Sequence, residues 1–256
     1  MSRIHSTAII EAGAKIDESV EIGPYAVIGP HVEIGEGTTI GAHAVITGHT
    51  RIGKRNRIFQ FVSLGEQPQD KKYAGEPTRL EIGDDNTIRE FCTFNTGTAQ
   101  DLGVTRMGNG NWVMAYVHIA HDCVVGNQTI LANNATLGGH VEIGDFAILG
   151  GLTAVHQFCK IGAHVITGGG TIVFKDIPPF VMASGAPAQP HGLNSEGLKR
   201  RGFSPETLAI LKRAYKTIYR ESLTLQEALA KLDQETTPEV AQLTAFLRSA
   251  ERGIIR

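Results

Sequence analysis

From residue 20 to residue 35 the chain reads Val20-Glu21-Ile22-Gly23-Pro24-Tyr25-Ala26-Val27-Ile28-Gly29-Pro30-His31-Val32-Glu33-Ile34-Gly35. Isoleucine stands at every sixth place, and the beat runs outward through Ile16, Ile10 and Ile4 on one side and Ile40, Ile46, Ile52, Ile58 and Leu64 on the other. A period of six fits neither a 3.6-residue helix nor the two-residue alternation of a plain strand. Each turn of chain must therefore return an aliphatic side chain to a common axis. The expected fold class is all-β: a parallel β-helix with three hexads to a coil and coils stacked about 4.8 Å apart, the spacing of hydrogen-bonded strands.

The beat resumes at Ile82, Ile88 and Phe94, slips by one residue, and runs from Met107 through Val113, Ile119, Val125, Leu131, Leu137, Ile143, Leu149, Val155 and Ile161 to Val173, with only Thr167 breaking it. Glycine often follows the aliphatic residue, as at Gly23, Gly41 and Gly83, and a small residue often stands two places before it, as at Ala26, Ala44 and Ala135. Glycine suits a tight corner, and a small side chain fits beside a large one in a narrow interior.

The charge is nearly balanced, 24 Lys and Arg against 26 Asp and Glu for a net −2 over 256 residues, which argues against a general nucleic-acid or membrane-surface role. The start of the chain has no secretory pattern and no apolar run is long enough to span a bilayer, so a cytoplasmic protein without a membrane span is expected. Three cysteines agree with a reducing compartment. Cys123 and Cys159 share a hexad position two coils apart, about 9.6 Å, beyond the roughly 7 Å that a disulfide can bridge.

Two insertions interrupt the coils, near residues 67–79 and 97–106, and such loops tend to carry binding groups. The solenoid is expected over residues 1–190 and a helical domain over 191–256. Helix starts are marked by Ser204-Pro205-Glu206, by Thr224 with Glu227 at capping-box spacing, and by Thr237-Pro238. Outward positions one coil apart should form columns. One reads Ile9, Val27, Val45, and in the second half another reads Trp112, Ile130, Ile148, Ile166. An apolar stripe marks a contact surface, so a prism with one greasy face is expected to assemble, and a cyclic homotrimer is the simplest packing.

Histidines gather in the second series. His118, His121, His140 and His156 avoid the inward positions, and His140 falls one coil and one residue beyond His121, so those two should be neighbours. Three imidazoles could hold zinc with an open position, as in hexapeptide-repeat carbonic anhydrases, but the histidine spacing here differs. Cys123 occupies a small inward position, where a thiol packs as a hydrophobe rather than serving as a nucleophile. An imidazole acting as a general base on a hydroxyl is the chemistry these residues suit best.

The stretches His118-Ile119-Ala120-His121-Asp122-Cys123, Leu137-Gly138-Gly139-His140 and His156-Gln157-Phe158, with Gln69 to Thr78 in the first insertion and Asn194-Ser195-Glu196-Gly197-Leu198-Lys199-Arg200-Arg201 near the end, closely resemble the acyl-carrier-protein:UDP-N-acetylglucosamine O-acyltransferases of Gram-negative bacteria. The resemblance spans the whole chain. It implies a homotrimeric left-handed β-helix, with active sites in clefts between subunits, that catalyses the first step of lipid A synthesis without metal or cofactor. The residue matching the family's general base is His121. Asp122 would orient it, and the backbone N–H of Gly139 would hold the oxyanion. Acyl carrier protein would donate the acyl group and UDP-N-acetylglucosamine would accept it. The resemblance assigns Asp70 and Lys72 to the sugar, and His118, His140, His156 and Gln157 to the pocket. Gly169 would set acyl length, while Asn194, Glu196, Arg200 and Arg201 would serve the nucleotide end. The chain departs from the family pattern at Asn95-Thr96-Gly97, where many members carry His-Arg-Gly.

Overall fold

The computed structural model describes residues 3–256; Met1 and Ser2, with which the expected solenoid begins, lie outside the described residues. The chain forms a left-handed parallel β-helix of three sheets with nine, eight and ten strands, one sheet to each side of a triangular coil. On the first face Ile9 pairs with Val27 and Val27 with Val45. On the second, Lys15 pairs with Glu33 and Glu33 with Arg51. On the third, Glu21 pairs with Thr39 and Thr39 with Arg57. The aliphatic beat is buried inside: Ile28, Ile46, Leu64, Ile88, Leu131 and Leu149 are inaccessible to solvent. Asn56, Asn86 and Asn111 occupy the small inward position at one corner, where the side-chain amide of Asn86 donates to Asn56 Oδ1 at 3.0 Å and that of Asn111 to Asn86 Oδ1 at 2.9 Å. This ladder satisfies buried polar groups between successive coils.

The corners differ from their expected construction. Gly23, Gly41, Gly53, Gly83, Gly126, Gly144 and Gly162, each after an aliphatic residue, do not carry the left-handed backbone; that falls two residues later on Tyr25, His43, Arg55, Asp85, Gln128, Phe146 and His164, all with φ between 52° and 60°. What requires glycine is the close approach of coils. A Cβ on Gly41 would sit 2.5 Å from the amide nitrogen of Gln60.

Two further expectations are corrected. The second insertion is shorter than expected because Val104–Met107 is a strand, paired with Arg79–Ile82. The two apolar columns do not share a face. That of Ile9 and Val45 continues as Ser63, Thr93, His118 and Thr136 on the first face. That of Trp112, Ile130 and Ile148 continues Arg57 and Thr87 on the third. The insertions lengthen two coils, so counting across them loses the face. Both insertions emerge at one corner, between the first and second faces, since Ser63–Glu66 leads into Arg79–Ile82 and Thr93–Asn95 into Val104–Met107.

The residue-190 boundary falls inside the strand Gln189–Leu193, which runs antiparallel to Val181–Ser184 and ends the third sheet. Four helices follow: α1 (Ser195–Arg200), α2 (Pro205–Tyr219), α3 (Leu225–Leu232) and α4 (Pro238–Ser249). Ser204 caps α2, and Thr224 with Glu227 forms the expected capping box on α3. Thr237 precedes α4 without capping it, and its buried hydroxyl has no partner. Leu208, Leu211, Leu232, Val240 and Leu243 make a second buried cluster, while Ile255 returns to the solenoid core. Among the described residues no helix is long and apolar enough to cross a membrane.

Candidate active site

The corner that carries both insertions also carries Asp122, His140 and Phe158 on successive coils, each in the left-handed conformation with φ of 58°, 62° and 65°. That conformation matters for Asp122. Neighbours in a regular strand point to opposite faces, whereas the corner turns His121 and Asp122 toward each other, and His121 Nδ1 lies 3.0 Å from Asp122 Oδ2. The Asp122 carboxylate is buried and accepts the Thr98 N–H at 2.9 Å on Oδ1 and the Thr98 hydroxyl at 2.6 Å on Oδ2. Its own N–H donates to Thr105 Oγ1 at 2.9 Å. Burial alone would raise its pKa, but the hydrogen bonds from His121 and Thr98 outweigh burial and hold the group below the ordinary carboxylate range. An ionised Asp122 accepts only, so His121 carries its proton on Nδ1 and leaves Nε2 free as a base.

Gly139 lies against that free nitrogen: a Cβ there would stand 2.7 Å from His121 Nε2, so only glycine lets the backbone pass so close. The Gly139 carbonyl accepts from Phe158 N–H at 3.0 Å, and no acceptor among the described residues takes its own N–H. The rings of His121 and His140 meet edge to face with centroids 5.0 Å apart, as the one-coil spacing leads one to expect. His140 stacks on Phe158 at 4.3 Å. His118 holds Thr93 Oγ1 at 2.7 Å through Nδ1, and burial first, then the nearby His121, lowers its pKa. His156 donates from Nδ1 to the Gln157 carbonyl at 3.1 Å, and the Gln157 side chain is exposed.

The remaining site residues do not join this cluster within the chain. Asp70 and Lys72 stand on the first insertion, where Lys72 N–H donates to Asp70 Oδ1 at 2.9 Å, and neither bonds to the histidines. Gly170 N–H bonds to Gly151 O, which puts Gly168, Gly169 and Gly170 at the corner between the third and first faces, in line with Leu152 and Tyr116. The three glycines also differ. Gly170 turns with φ +70°, a Cβ on Gly168 would meet that of Ser184 at 2.9 Å, and one on Gly169 would meet only Gly151 O at 3.5 Å. Asn194 and Arg201 lie at the third corner. The Asn194 side chain caps α1 through Gly197 N–H and donates to His164 O at 2.9 Å. Arg201 donates to Phe146 O at 3.0 Å with its guanidinium over the Phe146 ring. Glu196 pairs with Lys199 at 2.7 Å, and Arg200 is exposed.

Sequence reasoning missed Thr98, Thr105 and Asp101. Asp101 Oδ2 lies 2.6 Å from His140 Nδ1. The signal available was one of position alone: an acid and a threonine in an insertion at the corner that holds the histidines. His121, Asp122 and His140 each offer a ligand atom within 4.8 Å of the others, a set that could hold a metal ion. Asp122 Oδ2 is already committed to Thr98 and to His121 Nδ1, which favours proton chemistry at this corner. Cys123 is no nucleophile here, since burial pushes its thiol up to about 12.

A three-sided hexad solenoid places the chain among the hexapeptide-repeat transferases. The model for bacterial hexapeptide transferases matches residues 1–35, 13–48 and 105–139, and that for the second domain of UDP-N-acetylglucosamine O-acyltransferases matches residues 176–255. The acyl-[acyl-carrier-protein]--UDP-N-acetylglucosamine O-acyltransferase of Thiobacillus denitrificans is 72% identical, with all of both chains covered. A solved UDP-N-acetylglucosamine O-acyltransferase from Moraxella catarrhalis is 47% identical, with a TM-score of 0.97 over 99% of this chain and 100% of that one. A solved UDP-N-acetylglucosamine acyltransferase from Francisella novicida is 43% identical, with a TM-score of 0.97 over 99% of this chain and 94% of that one. The chain belongs to the UDP-N-acetylglucosamine O-acyltransferase family.

Proposed function

We propose that this chain transfers a 3-hydroxyacyl group from acyl carrier protein to the 3-hydroxyl of UDP-N-acetylglucosamine, the first step of lipid A biosynthesis, with His121 as general base. The observation that carries the reading is the clamp: His121 Nδ1 held at 3.0 Å by a buried Asp122, with Nε2 facing the Gly139 backbone. Nε2 takes the proton as the sugar oxygen attacks the thioester carbon. The Gly139 N–H receives the oxyanion, the C–S bond breaks, and the imidazolium returns its proton to the carrier thiolate. Asp122 keeps the tautomer correct and faces the imidazolium that forms. No metal or cofactor enters this route.

His118, His140, His156 and Gln157 line the pocket for sugar and acyl group in this reading. Asp70 and Lys72 hold the sugar, and Glu196, Arg200 and Arg201 serve the nucleotide with Asn194, whose amide also caps α1. Gly169 sets acyl length. These residues are spread over all three corners of one prism, which supports a site shared between copies of the chain and hence a homotrimer. Apolar columns on two faces, with Trp112 and Ile9 exposed, support the same assembly. The solenoid and the helical domain, each with its own buried cluster, act as two domains of a cytoplasmic enzyme.

The test is mass spectrometry of products from purified protein, UDP-N-acetylglucosamine and a panel of 3-hydroxyacyl carrier proteins. A singly acylated nucleotide sugar is expected with at least one donor; no product with any donor overturns the proposal.

A further inference from the structure

The second insertion departs from the family pattern at Asn95 and Thr96, yet it reaches the site through residues to which the sequence assigned no role. Its main chain and hydroxyl at Thr98 clamp Asp122, and three residues on, Asp101 meets His140. At 2.6 Å a carboxylate and an imidazole nitrogen share a charge-assisted hydrogen bond, and because the carboxylate accepts, the proton belongs to His140 Nδ1. The other edge of the ring then faces inward. His140 Nε2 stands 4.0 Å from Asp122 Oδ2, too far for a direct hydrogen bond, so this nitrogen is available as an acceptor for a substrate group. Phe158 stacked on one face and the perpendicular ring of His121 beside it leave the His140 ring little freedom to flip. The His140 side chain is mostly buried, and that of Asp101 is 41% exposed at the mouth of the corner.

We propose that Asp101 is a positioning residue that acts through His140. It makes a second acid–imidazole pair beside His121–Asp122, and this pair fixes which edge of His140 meets the bound nucleotide sugar. The inference rests on the proposed reaction for its kinetic arm only. The two pairs divide the work: the buried one moves a proton, and the one at the mouth presents His140 Nε2 to the substrate. Binding that is present in both ground and transition states appears in KM.

The experiment compares Asp101→Ala, Asp101→Asn and Asp101→Glu in wild-type and His140→Ala backgrounds, beside thermal melts and 15N NMR of the imidazole nitrogens. In the wild-type background, Asp101→Ala is expected to raise KM for UDP-N-acetylglucosamine about tenfold with kcat within about twofold, the scale of one charge-assisted hydrogen bond. Asp101→Glu should restore most of that loss and Asp101→Asn little of it. In the His140→Ala background, Asp101→Ala should add nothing further. The NMR should assign the proton of His140 to Nδ1 in the wild type and lose that preference in Asp101→Ala.

Additive losses overturn the proposal, because Asp101 would then act without His140. So does a fall in kcat and melting temperature at unchanged KM, which would make Asp101 a support for the Thr98–Asp122 clamp alone. An Nδ1 proton that persists in Asp101→Ala overturns it as well. If the wild type makes no product, the reaction is misread, and the NMR arm still decides whether the pair exists.

Discussion

Two corners of the same prism stack side chains on the same left-handed backbone, and the proposed mechanism places chemistry at only one of them. At the corner between the third and first faces, Tyr25, His43, Phe61, Phe91 and Tyr116 form a ladder with ring centroids 4.8–5.3 Å apart and planes within 19° of parallel. At the corner between the first and second faces, His140 stacks on Phe158 in the same way, but the place below it belongs to Asp122. His43 is held between a tyrosine and a phenylalanine. His140 stands between the carboxylates of Asp101 and Asp122, one bonded and one 4.0 Å away. The coil therefore supplies a rack that repeats, and the insertions at one corner supply the groups that turn a rack position into a site. In the proposed mechanism a corner histidine becomes a base only where a loop brings hydrogen bonds to the acid beside it.

Exchanging corners tests this division most severely. His121→Ala should lower turnover at least about a hundredfold, the scale of a lost general base, while His43→Ala should leave turnover within about twofold; steady-state assays of both variants, with melts to verify folding, make the comparison. Equal losses would erase the distinction between the corners. Thr98→Val keeps the backbone N–H to Asp122 but removes the hydroxyl bond. It should cost about tenfold in kcat with KM little changed, because a hydrogen bond to a buried ion is worth about 1.5–3 kcal/mol.

The aromatic corner ends in the glycine run, and there the account separates space from turning. Gly169→Met enters open space and should shift preference toward shorter acyl donors in mixed-donor competition without lowering the melting temperature. Gly170→Met forces a side chain onto φ +70° and should lower the melting temperature instead. The third corner gives the smallest effect. Burial first, and the Arg201 charge after it, lower the pKa of His164 to about 4, and its Nδ1 has no partner. The unfolded chain takes up this proton near the ordinary 6.5 and the folded chain resists it, so stability should fall as pH drops from about 6.5 toward 4. Asp176, raised by burial, opposes that trend. His164→Phe preserves the stack and should flatten the slope by about 1 kcal/mol in melts across that range.

The fold was legible because a hexad is local: Ile22, Ile28 and Ile34 each report their own inward place without knowledge of any other coil. The His121–His140 contact was legible for the same reason, since one uninterrupted coil separates them. What spanned an insertion was not. The apolar columns of Val45 and Trp112 were read as one face and lie on two, because two lengthened coils stand between them. The corner of Gly169, by contrast, can be counted: no insertion separates it from His121, and 48 residues make two coils and two hexads, which leads to another corner. Thr98 and Asp101 were invisible for a different reason. A loop has no period, and which of its residues meets an acid or an imidazole depends on how it folds back over the corner.

The most direct measurement is rapid-quench mass spectrometry of the first turnover, following nucleotide sugar and intact protein together. The account predicts that the ester on the sugar 3-hydroxyl appears from the earliest times while the protein mass stays unchanged, because His121 moves a proton and never carries the acyl group. An acylated protein that forms and decays before the product, or an ester on another hydroxyl, would contradict it.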